Sequence, residues 1–380
     1  MAVCCLVASP NLASAQMNED LYIYGYFQGI TRYSHLESNP LPEVEEAWSF
    51  SIQQMNLFMF KQFDANFSAF VNLEITNSLS TVEGWGGIAL DEAWMKYQRN
   101  NALKIKAGLL IPTFNNLNAI KNKTPLLPYI MRPFAYETIV EEFFSTNELV
   151  PKQAAVEVYG SKKINKRLKL DYAAYVGNNS AFITSETAAT IPSGGDTTLV
   201  KLVGGRVGLR RNSVKVGVSV SRDEADLSKI PIFLATDLTG IGKASRTRLG
   251  VDLSFSTSRF FFESEFIRVF YSLADSDKEL IREFISINPL LSEELDKLFA
   301  YGSLGINIGE RFFAYGMYSY MEDRSNIITD EGFGMYSVGG GFRPNDSLVF
   351  KLQFVHVSTY AKDLFFGRET DVLIGLSVYL

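Results

Sequence analysis

The chain divides into sixteen amphipathic segments, and the fifteen connections between them alternate strictly between short and long. The short connections are residues 62–65, 99–101, 161–165, 211–212, 256–258, 309–310 and 343–346. The long connections are residues 34–47, 77–88, 112–151, 178–198, 222–243, 273–296, 322–331 and 360–367. In an antiparallel sheet, all short turns would then lie at one end and all long loops at the other. A transmembrane β-barrel has this asymmetry, and about sixteen strands enclose an aqueous channel.

Within the segments, apolar and polar residues alternate with the period of two that is typical of a β-strand. The apolar face of the last segment, residues 368–380, carries Val372, Ile374, Leu376, Val378 and Leu380. An exported β-sandwich or a soluble β-solenoid shows the same alternation with its apolar face turned inward, and it stays open as an alternative. The long segments and the alternating connections favour an all-β, transmembrane, antiparallel up-and-down barrel.

One segment, residues 48–61, breaks the alternation. Gln53, Gln54 and Asn56 put polar side chains on both faces of this segment. Because strict alternation is lost when an extra residue enters a strand, the pattern predicts a β-bulge or a register break here.

The composition excludes several other classes of protein. Of the 380 residues, 47% are hydrophobic and 13% are aromatic, a share that suits the aromatic girdles of a membrane barrel. No run approaches the ~18 apolar residues of a transmembrane helix, so a membrane-spanning chain would have to cross as strands. The net charge is −6 at pH 7 and no basic tract is present, which argues against nucleic acid as a partner. Metal-ligand and nucleotide-binding motifs are also missing from the sequence, so no cofactor is expected.

Residues 1–15 resemble the end of a secretory signal peptide. An apolar core precedes Ala13, Ser14 and Ala15, a small-residue cleavage pattern, although a charged start is missing. Cleavage after Ala15 would leave residues 16–380 as one barrel domain without cysteine, since the two cysteines are Cys4 and Cys5. The same two cysteines raise the alternative of a lipoprotein anchor. The prediction is an exported chain in which disulfides play no part.

The connection 112–151 is the longest, and it is too apolar for a solvated loop. Long loops in compact proteins are generally functional, so we expect this one to fold into the barrel and constrict the pore. An external cap or a contact between subunits is the alternative. The candidate constriction charges are Lys121, Lys123, Arg132, Glu137, Glu141 and Glu142. Opposed acids and bases would set up a transverse field that favours polar solutes.

A series of basic residues falls on the faces that are predicted to line the lumen. These candidate lumen-lining residues are Lys104, Lys106, Arg167, Lys169, Arg206, Arg210, Arg246 and Arg248. Such a series would form an electropositive path that attracts anions. The alternative is a solvated wall on which acids balance the bases, namely Glu92, Glu157, Glu263 and Glu265. The choice between anion and cation preference stays open at this point.

Several stretches resemble those of Gram-negative outer-membrane porins. Residues 375–380 (GLSVYL) are similar to the terminal β-signal of such barrels, and residues 22–28 (YIYGYFQ) to the first strand of many porins. Residues 106–114 (KAGLLIPTF) are similar to the G-x-x-x-P-F stretch of porins of the phosphate-selective O/P type, with Thr113 inserted. The resemblance implies a barrel in the cell outer membrane, in contact with outer-membrane lipid and lipopolysaccharide and often a homotrimer. It implies passive diffusion of small hydrophilic solutes. A phosphate site does not follow, because no dense lysine or arginine ladder matches that family's pattern.

Two other functions stay open. A barrel whose lumen is closed by residues 112–151 would be a structural or adhesive surface protein. His356 and Ser358 stand two residues apart on one strand face, which resembles the His-x-Ser of outer-membrane phospholipases and deacylases, where the histidine acts as base. Thr359 and Tyr360 follow, whereas those families have an asparagine that orients the pair. The prediction is a channel, not an enzyme, with no catalytic residues.

Overall fold

The structure, a computed structural model, describes residues 21–39, 44–76, 87–120, 123–137, 150, 152–179, 200–226, 243–279, 282, 296–323, 331–359 and 366–380. The predicted signal peptide, residues 1–15, lies outside these residues. The strands are β1 (Leu21–Asn39), β2 (Val44–Gln62), β3 (Phe67–Thr76), β4 (Gly87–Gln98), β5 (Lys104–Leu110), β6 (Gln153–Lys163), β7 (Leu168–Gly177), β8 (Leu202–Arg211), β9 (Val214–Asp226), β10 (Lys243–Ser256), β11 (Phe260–Ser272), β12 (Asp296–Ile308), β13 (Phe312–Asp323), β14 (Glu331–Asn345), β15 (Leu348–Thr359) and β16 (Phe366–Tyr379).

The strands form one closed antiparallel barrel in which each strand pairs with its neighbours in sequence. β1 closes the barrel on β16, with Tyr26 opposite Tyr379 and Asn39 opposite Phe366. Closure leaves the sheet without edges, so the backbone polar groups of the wall are paired within it. The predicted all-β up-and-down barrel is therefore confirmed. In the described part of the chain, no helix has both the length and the apolar character needed to cross a membrane.

The short connections lie at one end of the barrel, which we call the turn end, and the long ones lie at the other, the loop end. Asx-turns shape several of the short connections. The side chain of Asp64 accepts the backbone N–H groups of Asn66 and Phe67 at 2.7 and 2.8 Å. Asn100 and Asn165 form the same kind of turn. The turn chemistry is therefore local, which explains why the sequence predicts the positions of these turns to within a few residues.

Two predicted long loops are shorter than expected, so this part of the prediction is wrong. Within residues 34–47, β1 continues to Asn39 and β2 begins at Val44, and these ends pair with each other, Glu37 opposite Val44. In the same way, β9 continues to Asp226 instead of ending near residue 222. The residues that extend β1 and β9 are mostly polar. The alternation of apolar and polar residues, from which the strand ends were predicted, therefore ends several residues before the strand itself. The backbone ladder continues because its hydrogen bonds need no apolar face.

The outer face of the barrel is apolar and the inner face is polar, as β9 illustrates. Its outer face carries four exposed valines, Val214, Val216, Val218 and Val220. Its inner face carries the buried residues Ser219, Ser221 and Asp223. This polarity is the reverse of that of a water-soluble sandwich, and it is the pattern of a barrel with lipid outside.

Two β-bulges turn extra polar side chains toward the inside of the barrel. The predicted break in residues 48–61 is confirmed as a bulge at Gln53, where the register shifts so that Gln53 and Gln54 both point inward. In β4 a second register shift leaves Asp91 and Glu92 both buried. At each bulge, the inner wall therefore gains two adjacent hydrogen-bonding side chains where regular alternation allows one.

Candidate functional site

The described residues between β5 and β6, which are 111–120, 123–137 and 150, lie inside the barrel. We call them the inner segment. It turns through three short 3-10 helices, Asn118–Ile120, Thr124–Leu126 and Phe134–Tyr136. Its buried apolar side chains include Phe114, Leu117, Leu127, Tyr129, Ile130, Met131, Phe134, Tyr136 and Val150. These are the side chains that make the loop too apolar to be solvated.

Most of the apolar wall residues that pack with the inner segment come from one half of the barrel, and Tyr175 on β7 and Leu202 on β8 belong to the same cluster. The wall residues of this apolar cluster include Ile267, Val269, Phe299, Tyr301, Phe313, Tyr315, Met317, Met335, Val349, Val355 and Leu373, on β11–β16. Tyr129 meets Tyr315 edge to face, with the ring centroids 5.5 Å apart. Tyr136 meets Tyr301 in the same way at 6.4 Å. Edge-to-face pairs of this kind stabilise a packed core. The inner segment therefore forms a buried layer along β11–β16.

Glu265 on β11 ties the two ends of the inner segment together. One of its oxygens accepts the backbone N–H groups of Asn116 and Leu117 at 2.9 and 2.7 Å. The other oxygen accepts the hydroxyl of Tyr136 at 2.5 Å. Burial, together with the neighbouring carboxylate of Glu265, raises the pKa of Tyr136 well above its ordinary value, so this hydroxyl stays a donor. Because its two oxygens accept three donors from the inner segment, Glu265 is the principal anchor of the segment on β11.

Side chains of β2 and β15 hold the middle of the inner segment. Gln54 accepts the backbone N–H and the hydroxyl of Thr124 at 3.0 and 2.5 Å. Lys351 donates to the carbonyl oxygens of Thr124 and Pro125 at 3.0 and 3.1 Å, and to the side chain of Gln28 at 2.9 Å. The irregular backbone of the segment thus finds partners on the wall instead of in water, as buried backbone groups require.

A pair of glutamines holds the next turn. Gln353 on β15 accepts the N–H groups of Ile130 and Met131 at 2.7 and 2.8 Å and donates to the carbonyl of Met131 at 3.1 Å. Gln53, the bulge residue of β2, donates to the carbonyl of Ile130 at 2.9 Å. Sequence reasoning missed Gln353 and Lys351 as partners of the loop. The sequence did contain a signal for them, because Lys351 and Gln353 are polar residues on a face of β15 that also carries Val349 and Val355.

Gly250, on the inner face of β10, makes room for the inner segment. A Cβ at this position would collide with the side-chain amide of Asn115, whose own backbone is held at a φ of 52°. Replacing Gly250 with valine is expected to lower the free energy of unfolding by about 1–3 kcal/mol, measured by urea titration of the folded barrel. Gly316→Val is the matched control, because a Cβ added at Gly316 meets nothing within 4 Å. An equal loss in both variants would contradict the prediction.

Three of the six predicted constriction charges lie in described residues. Arg132 and Glu137 are both buried, with the guanidinium 3.4 Å from the carboxylate, and Glu137 also accepts the backbone N–H of Arg132 at 2.8 Å. The ammonium of Lys123 lies 3.9 Å from the carboxylate of Glu92 on β4. The Arg132–Glu137 pair therefore braces the inner segment itself. The other three, Lys121, Glu141 and Glu142, lie outside the described residues.

Two of the predicted lumen-lining bases are buried instead of lining open space. Arg246 and Arg248 point inward from β10, and both bond to the carboxylate of Asp223 on β9, at 2.7 and 3.0 Å. Their side chains are 1% and 0% exposed. A charge that is removed from water needs a close partner, and Asp223 serves both guanidinium groups. The two arginines thus belong to the packed part of the wall.

The remaining predicted bases lie on or beside β5, β7 and β8. Three of them pair with acids on the same wall, Lys106 with Glu157 at 3.6 Å, Arg206 with Asp252 at 2.6 Å and Arg210 with Asp171 at 2.8 Å. Lys104 and Lys169 stand on inward-facing positions, and the exposed Arg167 lies in the turn just before β7. Lys106, Arg206 and Arg210 therefore fit the interpretation of a wall on which acids balance the bases. Within the described part of the chain, Lys104, Arg167 and Lys169 make no salt bridge and fit the interpretation of an electropositive path.

The wall on β2–β4 carries a belt of amides and acids. Asn56 donates to Asn72 at 2.9 Å, and Asn72 donates to Asp91 at 2.8 Å. Gln54 donates to Glu74 at 3.0 Å. The inner wall of β2–β9 therefore carries many polar and charged side chains, beside an aromatic cluster of Tyr26, Phe58 and Phe70, whereas most of the apolar contacts of the inner segment are with β11–β16.

His356 and Ser358 each have a hydrogen-bond partner on a neighbouring strand. They lie on the outer face of β15, where Nδ1 of His356 is 3.0 Å from the hydroxyl of Thr370. Ser358 donates to the carbonyl oxygen of Gly334 at 3.5 Å. The contact with Thr370 uses one of the two ring nitrogens of His356. Among the described residues, no group of three or more His, Cys, Asp or Glu is arranged to hold a metal ion.

The closed barrel and its inner segment define the outer-membrane barrel fold, and solved structures share it. The anion-selective porin from Comamonas acidovorans matches with a TM-score of 0.62 at 9% identity, over 95% of this chain and 99% of that chain. The outer-membrane channel DcaP of Acinetobacter baumannii matches with 0.58 at 10%, over 95% and 97%. The trimer form of OmpT from Vibrio cholerae matches with 0.56 at 13%, over 95% and 100%. No protein-family model and no curated protein matches the sequence. At these identities, the likeness to porins is a likeness of fold.

Proposed function

We propose that this protein is an outer-membrane channel through which small hydrophilic solutes diffuse passively. The observation that carries the proposal is the difference between the two faces of the closed barrel wall. The outer face is apolar and exposed, and the inner face carries many polar and charged side chains. A barrel of about sixteen strands with lipid outside and water inside needs this arrangement. Solved barrels of the same fold that are named as a porin and a channel support the coarse statement.

The proposed location is the outer membrane of a Gram-negative bacterium, in contact with outer-membrane lipid and lipopolysaccharide. In such barrels the short turns face the periplasm and the long loops face outward. We therefore assign the turn end to the periplasm and the loop end to the outside. A homotrimer is also proposed, and it is supported by the trimer form of one solved barrel with the same fold.

The proposed path for solutes runs along β2–β9, beside the inner segment, which would act as the constriction. Apolar packing of the inner segment against β11–β16 fills much of that side of the lumen. On the other side, Lys104 and Lys169 stand on inward-facing positions and make no salt bridge within the described part of the chain, and Arg210 beside Lys169 is 34% exposed. Cations along a narrow polar path favour anions, so we propose a modest anion preference.

The test is conductance of the refolded protein in a planar lipid bilayer. Stepwise current increases are expected, and in a potassium chloride gradient the zero-current potential is expected to have the sign of anion preference. Lys106→Gln combined with Arg210→Gln is expected to shift that potential toward zero, because two positive charges leave the path while their partners Glu157 and Asp171 remain. Gel migration of boiled and unboiled samples checks that each variant is folded.

A folded barrel without current steps would favour the alternative of a structural or adhesive surface protein. A cation-selective channel would contradict the proposed anion preference.

A further inference from the structure

Four cations stand side by side on the inner face of the barrel at the turn end. In the strand register, Lys163 on β6 lies opposite Lys169 on β7, Lys169 lies opposite Arg210 on β8, and Arg210 lies opposite Lys215 on β9. The alternation of burial on these strands puts all four on the inward face. We call these four residues the cation row. Only Lys169 and Arg210 belong to the basic series that was predicted from the sequence to line the lumen.

The cation row is electrostatically unfavourable as it stands. Directly opposite residues of an antiparallel pair have Cβ atoms about 4.5–5.5 Å apart, and like charges at such positions destabilise the sheet. Asp171 pairs with Arg210 at 2.8 Å. Within the described part of the chain, Lys163, Lys169 and Lys215 make no salt bridge, and all three are exposed. The row therefore concentrates positive charge that the neighbouring protein groups do not neutralise.

Arg210 shows that the row is open to a further acceptor. One Nη of Arg210 is bonded to Asp171 at 2.8 Å and to the hydroxyl of Ser161 at 3.4 Å, and the side chain is 34% exposed. A guanidinium offers its donors in a planar fork that suits carboxylate and phosphate groups. The space between neighbouring strands is about 4.8 Å, so the row spans roughly 14 Å, enough for a solute with two anionic groups.

We propose that the cation row is a binding site for soluble multivalent anions, that is, solutes with two or more phosphate or carboxylate groups. The inference rests on the proposed channel function, which puts the row at the periplasmic exit of the path. Two neighbouring members of the row hold the two anionic groups of such a solute, and the register offers three such neighbouring pairs. The row then favours multivalent anions over monovalent ones, which goes beyond a general anion preference.

The first experiment measures binding to the refolded barrel in detergent by isothermal titration calorimetry, with pyrophosphate, succinate and acetate as probes. Pyrophosphate and succinate are expected to bind at low ionic strength, and acetate much more weakly. In the double variant Lys169→Gln, Lys215→Gln, the dissociation constant for pyrophosphate is expected to rise roughly fivefold, because two charge pairs are lost. Added salt is expected to weaken binding, because the site is exposed.

The matched control removes two cations from the same strand ends on the opposite face. Lys162 and Arg211 are exposed and lie on the outward-facing positions of β6 and β8, where they would meet lipid headgroups instead of solutes. Lys162→Gln combined with Arg211→Gln is expected to leave pyrophosphate binding unchanged. If the wild-type barrel binds no pyrophosphate, or if both double variants weaken it equally, the cation row is not the site.

A second experiment separates this inference from the proposed function. In planar bilayers, pyrophosphate added on the turn-end side is expected to interrupt the current of the wild-type channel and to interrupt the Lys169→Gln, Lys215→Gln channel less. Conducting channels that pyrophosphate does not interrupt would overturn the site and leave the channel function standing. Pyrophosphate binding without any current would overturn the channel function and leave the site standing.

Discussion

Excision of the inner segment is expected to raise the single-channel conductance about twofold or more, since the conductance of a wide barrel follows its open cross-section. The change replaces residues 114–149 with a short glycine–serine linker. Leu110 and Gln153 lie opposite each other at the ends of β5 and β6, so a short linker bridges them without disturbing the ladder. The measurement is the size of current steps in planar bilayers at fixed salt. Selectivity for small polar solutes is expected to fall as conductance rises.

The apolar wall that the excision uncovers calls for a folding control. Ile267, Val269 and Phe299 would meet water in place of the inner segment, so the excised barrel is expected to be less stable. Gel migration with and without boiling reports whether it still closes. Deleting residues 182–197, between β7 and β8, is a control for loop length alone. If the excised barrel closes and its current steps equal those of the wild type, the inner segment is not the constriction.

Loss of the Glu265 carboxylate is expected to have the largest effect on stability of any single substitution discussed for this barrel. Glu265→Ala leaves the donors of Asn116, Leu117 and Tyr136 without their acceptor. Buried donors without partners cost about 1–3 kcal/mol each, so the free energy of unfolding is expected to fall by about 2–5 kcal/mol. Urea titration of the folded barrel, followed by tryptophan fluorescence, measures the loss. Current noise in planar bilayers is expected to rise, because both ends of the inner segment lose one shared anchor.

Glu263 offers a matched control for this substitution. It lies two residues from Glu265 on the same face of β11, and the described residues offer it neither a hydrogen bond nor a salt bridge. Glu263→Ala is expected to leave stability unchanged or to raise it, since an acid without a partner is removed from a packed wall. Glu265→Gln is expected to fall between wild type and Glu265→Ala, because the amide keeps one acceptor oxygen. Equal losses for Glu263→Ala and Glu265→Ala would show that Glu265 is not an anchor.

The candidate site was predictable in outline but not in its contacts. The apolar character of residues 112–151 indicated a segment that folds against the wall, and the irregular pattern at Gln53 and Gln54 indicated a bulge. The partners of the segment were not readable, because they lie far away in the chain. Asn116 and Glu265 are 149 residues apart, and Ile130 and Gln353 are 223 apart. A hydrogen bond across the lumen does not change the alternation of polar and apolar residues within a strand, so the sequence pattern cannot reveal the partner.

The sequence by itself determined the strands, their inner and outer faces, the turn end and the loop end. Each of these depends on local alternation and on turn chemistry, which a few neighbouring residues encode. Only the tertiary structure decided the closure of β1 on β16, the polar extensions of β1 and β9, and the burial of Arg246 and Arg248 on Asp223. It also decided that four cations stand in one row, because cross-strand register is set by backbone pairing between strands and not by the pattern within any one of them.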